Sequence, residues 1–164
     1  MRSRGPRARN VVLLLLVFIF AILVLVLAFG RSLRSLGLPF PVLAGLAIVF
    51  GLLGVALTVL TIRLRETRTQ KTLFILTGVS AAGIPVCAIL HNLVYGLFIA
   101  LFGKGFWGPG GDEPVFFILA IFLCPALFVI GAAASGILLL KARITGNGAE
   151  PQQGAPSDAD RPRA

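Results

Sequence analysis

The sequence predicts an all-α transmembrane four-helix bundle, and three observations carry that prediction. Hydrophobic side chains make up 57% of the 164 residues and charged ones only 13%, against about 25% charged in an ordinary soluble domain. The apolar residues gather into four runs, each close to or above the roughly 20 residues that cross a hydrocarbon core of about 30 Å as a helix. The formal net charge of +9 lies almost wholly outside those runs. Four spans use most of the chain, so little is left for a domain outside the membrane.

The first run, 11–29, has no polar side chain and follows a basic stretch, 1–10, that holds Arg2, Arg4, Arg7 and Arg9. A cleaved signal peptide also begins basic, but its apolar region is usually about 7–15 residues long. The run is therefore read as a retained span, with Val26-x-Ala28 as the alternative cleavage signal. The second run is 40–62, the third 73–102 and the fourth 115–140, each bounded by charge or by Gly/Pro clusters. The four spans together define a membrane domain over 11–141. Beyond it, 142–164 is rich in Gly, Pro, Ala, Gln and Asp and is expected to be a disordered tail.

The Lys and Arg count decides orientation, because the cytoplasmic side carries the excess. With the N-terminus inside, twelve fall on that side and three (Arg31, Arg34, Lys104) on the other. The expectation is a multi-pass protein of the cell membrane with both termini cytoplasmic. Tyr95 and Trp107 then fall near the outer boundary, where amphipathic rings settle. The membrane surface accounts for the basic residues, and nucleic acid is not an expected partner.

Helices in lipid associate through small residues that let backbones approach and through polar groups that bond across the gap. In the second span Ala44, Ala47, Gly51, Gly54, Thr58 and Thr61 recur at spacings of three and four, which is one helical face. Ala47, Gly51, Gly54 and Thr58 are its centre and the expected packing site. The third span repeats the pattern less purely with Thr77, Ala81, Ile84, Ala88, His91 and Tyr95. Pro85 and Pro125 predict kinks in the third and fourth spans. The third run is roughly 45 Å long as a helix, so it either tilts or breaks near Gly96 and leaves Leu97–Phe102 at the outer interface.

The candidate binding residues are His91, Asn92 and Tyr95 near the outer end of the third span, with Asp112 and Glu113 at the start of the fourth. Acidic residues followed by Pro114 suit a helix N-terminus by dipole and by proline's missing N–H. One of the two carboxylates is expected to pair with His91 and join the third and fourth helices. The alternative is a proton-relay or ligand-binding role, since ionisable groups in membrane segments are functional candidates.

Catalysis is not expected. The chain has no His-Glu-x-x-His, Gly-x-Ser-x-Gly or phosphate loop. No acidic residue lies within a span, whereas ion-coupled transport normally places one near the midplane; the four-helix multidrug transporters carry a glutamate in the first span. Cys87 and Cys124 have no disulfide-framework or metal spacing, and no metal or cofactor is expected.

The stretch Leu76-Thr77-Gly78-Val79-Ser80-Ala81-Ala82-Gly83, then His91-Asn92-Leu93-Val94-Tyr95-Gly96-Leu97-Phe98 and Asp112-Glu113-Pro114, resembles uncharacterised small prokaryotic four-span integral membrane proteins. The likeness covers the second half of the chain and implies no activity. The functional expectation is a non-enzymatic accessory or packing subunit, with the lipid bilayer and a membrane-protein partner or second copy as its contacts. The alternative is a binder or carrier of a small apolar ligand, a lipid or quinone, with His91, Asn92 and Tyr95 at its outer mouth.

Overall fold

A computed structural model describes residues 4–33, 40–108 and 111–147 of the chain. Its elements in order are α1 (Arg4–Leu33), α2 (Phe40–Arg63), α3 (Arg68–Phe102), α4 (Pro114–Ile118), a π-helical turn (Leu119–Leu123) and α5 (Cys124–Asn147). Four helical stretches are long and apolar enough to cross a membrane, the fourth running from α4 through the π turn into α5. No strand occurs among the described residues. The helices outrun the expected spans: α1 starts within the basic stretch, and α5 carries 142–147 of the expected tail as helix, while 148–164 lies outside the described residues.

The starts and stops follow local chemistry. Thr67 is the N-cap of α3, its side chain accepting from the Gln70 N–H. Gly103, with φ +86°, ends α3 and donates its N–H to the Ile99 carbonyl. The alternative break near Gly96 does not occur: α3 runs as one helix through Pro85 and Gly96 to Phe102, 35 residues and about 52 Å of rise. In the fourth span the ladder does change around its proline. The Cys124 N–H reaches back five residues to the Leu119 carbonyl, and Pro125, which has no N–H to give, follows immediately. A wider turn beside the pyrrolidine ring relieves its clash with the preceding turn.

α3 is the central helix, lying along α2 on one side and along α4, the π turn and α5 on the other, while α1 rests mainly on α2. Glycine sets the closest approaches. A Cβ at Gly54 would stand 2.6 Å from the Gly78 carbonyl oxygen and 2.7 Å from the Ala82 nitrogen, and one at Gly51 would meet the Pro85 ring at 2.6 Å. On the other side of α3, a Cβ at Gly131 would stand 2.6 Å from Thr77 Oγ1. The threonine hydroxyls in these seams donate within their own helices, Thr58 to Gly54, Thr61 to Leu57 and Thr77 to Leu73, whereas the Ser135 hydroxyl of α5 is buried without a hydrogen-bond partner. The small-residue face of α2 is therefore filled by α3 of the same chain.

Larger side chains close the centre. Phe20, Phe50 and Phe128 bring α1, α2 and α5 together, with ring centroids 4.7–6.0 Å apart. Leu13, Leu16, Leu57, Phe74 and Ala81 complete the buried cluster. The surrounding surface is apolar, as a lipid-facing surface must be.

Candidate functional site

The polar residues of the described chain concentrate at the two ends of the bundle. At the end that carries the α3–α4 connection, α3 delivers His91 to the chain that opens α4. Glu113 is the N-cap of α4, with Pro114 as the first helical residue. Its Oε1 accepts from the Val115 N–H at 2.8 Å, and both its oxygens accept from Phe116 N–H at 3.0 and 3.2 Å. Asp112 in turn accepts from the Glu113 N–H at 2.8 Å. Backbone donors and the positive end of the helix dipole thus hold a carboxylate whose side chain is only 5% exposed.

His91 completes this arrangement. Its Nδ1 lies 2.9 Å from the Glu113 backbone oxygen and 3.3 Å from Glu113 Oε2. A carbonyl oxygen can only accept, so Nδ1 carries the proton. Its Nε2 faces Asp112 Oδ2 at 3.5 Å, and in the doubly protonated ring this second nitrogen would donate there too. The sequence pointed to one carboxylate partner, and the structure brings both to the ring. The imidazole also lies 5.5 Å from the Phe117 ring. Asp112 is 56% exposed, so the cluster opens to solvent through it.

The remaining candidates separate. Asn92 is exposed and donates Nδ2 to the Ala88 carbonyl of its own helix at 2.8 Å; the structure does not join it to His91. Tyr95 stacks on Trp107, with centroids 6.2 Å apart and planes 22° from parallel. Trp107 also meets Phe98 and Phe106 at 5.4 and 5.0 Å, so the loop after α3 folds back onto the helix that it leaves. Gly108 (φ +73°) allows the turn. The indole Nε1 of Trp107 is buried without a hydrogen-bond partner.

The opposite end, at the α2–α3 connection, holds a link that the basic residues concealed. Arg9 is 3% exposed; it forms an ion pair with Glu66 in the α2–α3 connection and lies 3.8 Å above the Phe74 ring of α3. In the sequence alone Arg9 reads as one more basic residue that sets orientation. The usable clue was that Arg9 abuts the apolar run at the depth of Glu66, the one acidic residue among the basic ones of that loop. The structure also sets Cys124 against Gly83, where a Cβ would meet its Sγ at 2.9 Å. No group of three His, Cys, Asp or Glu side chains among the described residues could hold a metal ion.

Comparison with protein-family models, curated proteins and solved structures gives no match.

Proposed function

We propose that this membrane protein is a non-enzymatic packing subunit of the cell membrane, with both termini cytoplasmic, that works through helix contacts with a second copy of itself. The α2 seam is already filled by α3, so the contact surface lies elsewhere. The observation that supports the reading is on the exposed side of α3, where Ala88, Asn92, Gly96 and Ala100 recur every fourth residue and all are exposed. A Cβ at Gly96 would meet nothing within 4 Å, so no neighbour within the described chain uses that glycine's small size. Small residues at four-residue spacing with one polar side chain are what close helix pairing in lipid requires. An asparagine amide both donates and accepts, so it matches its own copy across a two-fold axis.

Mass measurement in mild detergent tests this. The expected result is a dimer that Asn92→Leu together with Gly96→Leu converts to a monomer; a monomeric parent, or a dimer unaffected by both changes, would overturn it. Reporter fusions at the two ends test the orientation, and activity of a periplasm-specific reporter at either end would overturn it.

One observation favours a second reading, binding of a lipid or quinone at the outer mouth. The unpartnered Trp107 N–H is buried beside Tyr95, and a ligand carbonyl would satisfy it. A quinone absorption band, or a lipid mass lost on Trp107→Phe substitution, would support that reading; a protein free of both would remove it.

A further inference from the structure

The connection between α2 and α3 forms an open, polar cleft of about 750 Å³. It lies where two membrane-spanning helices end, since α2 stops at Arg63 and α3 starts at Arg68. Ile62, the last apolar residue of α2, lines the cleft and is 54% exposed. The cleft therefore sits at the boundary between hydrocarbon and water, at the depth of lipid headgroups, whichever side of the membrane the connection faces.

Three cations line this cleft, Arg63, Arg65 and Lys71, together with one acid, Glu66. Glu66 is already matched, because it pairs with Arg9, which is 3% exposed. Lys71 is half-buried, and its Nζ donates to the Ile62 carbonyl at 3.0 Å. That bond holds the ammonium at the end of α2 and leaves two of its three N–H donors. Arg63 and Arg65 are exposed and have no hydrogen bond or ion pair among the described residues. With Glu66 neutralised, the cleft carries three positive charges and, among the described residues, no anion to meet them. Like charges gathered in one cleft repel, and an anion placed among them removes that cost. An orientation signal needs basic residues anywhere in the connection; here Arg63, Arg65 and Lys71 line one cleft, and Arg68 alone stands outside it.

We infer that this cleft binds the headgroup of one anionic phospholipid, with the Arg63 and Arg65 guanidiniums and the Lys71 ammonium around the phosphodiester and the acyl chains beside Ile62. A guanidinium fork pairs with two phosphate oxygens at once, and a lipid headgroup is the phosphate that a cleft at this depth always meets. A zwitterionic headgroup would bring its own cation among the three and is disfavoured. This site is separate from the α3 contact surface and from the Trp107 ring cluster, and it stands whether or not the chain dimerises.

The test is native mass spectrometry of the full chain after exchange into micelles of phosphatidylglycerol or phosphatidylcholine with identical acyl chains. The expected result is one phosphatidylglycerol per chain, retained at energies that strip phosphatidylcholine. Arg63→Gln and Arg65→Gln each lower that preference about fivefold, in line with the attraction of one cation near an anionic surface. Neither change removes a contact within the described chain, and helicity by circular dichroism checks that both variants are folded. Arg68→Gln is the control: Arg68 is equally exposed and begins α3, but it does not line the cleft, so its loss leaves the preference close to that of the parent. Equal retention of the two lipids by the parent chain, or a fall with Arg68→Gln as large as with Arg63→Gln, would overturn the assignment. Retention of added inorganic phosphate by the lipid-free chain at the same energies would overturn it too, by making the ligand a soluble anion.

Discussion

The two ends of the bundle are each tied by charge, in opposite ways. At the end that carries the α2–α3 connection, Arg9 reaches across from α1 to Glu66 and lies on Phe74, a side chain-to-side chain link between residues far apart in the chain and nearly sealed from solvent. At the opposite end, His91 engages a carboxylate that is itself fastened to the N-terminus of α4 by three backbone contacts, with the exposed Asp112 beside it. The Arg9 link holds α1, which otherwise rests mainly on α2 by apolar contact. The His91 link holds a connection already fixed by its own helix cap and by the Trp107 ring cluster. A buried guanidinium without its partner is costly because nothing else solvates it, whereas the groups around His91 have backbone and water to fall back on.

Four substitutions, followed by denaturant unfolding in detergent, break or sharpen that comparison. The largest effect belongs to neither end: Gly54→Val drives a side chain into the Gly78 and Ala82 backbone and should cost about 3 kcal/mol or more. A smaller loss there would show that the ends, and not the seam, hold α2 to α3. Arg9→Met should cost about 2–3 kcal/mol, below the full price of breaking a buried pair because Glu66 keeps some exposure. It should also loosen α1 selectively, read as faster amide exchange in α1 than in α2. Glu113→Ala removes the helix cap and the His91 partner together and should cost about 2 kcal/mol, with exchange rising over 103–118. Asp112→Asn should change stability by less than about 1 kcal/mol, since exposed pairs contribute little. If Glu113→Ala proved costlier than Arg9→Met, the ranking of the two ends would reverse.

The parts of this molecule that were legible in the sequence are those set by one helix at a time. The four spans follow from apolar runs, and the α2 seam from the spacing of Gly51, Gly54 and Thr58. The partner of that seam was not legible, because spacing defines a face and says nothing of which helix covers it. The meeting of His91 with Glu113 followed from their shared depth. Asn92 was misassigned by adjacency: consecutive residues stand about 100° apart around a helix, and its amide turned to its own backbone. The π turn before Pro125 was also hidden, since a proline predicts a disturbance but not which relief the ladder adopts. Arg9 was lost among twelve arginines, eleven of which gave no sequence sign of a specific partner.

The unbroken length of α3 has a consequence for the surrounding lipid. Its apolar stretch, 73–102, rises about 45 Å, which exceeds the hydrocarbon thickness of an ordinary bilayer, and its last six residues, Leu97–Phe102, are apolar. Lipids bordering that helix stretch their chains or the helix leans, and either response grows easier as the bilayer thickens. The protein therefore carries a built-in ruler: in a membrane of mixed chain lengths it should partition toward the thicker regions, placed by elastic energy of the bilayer.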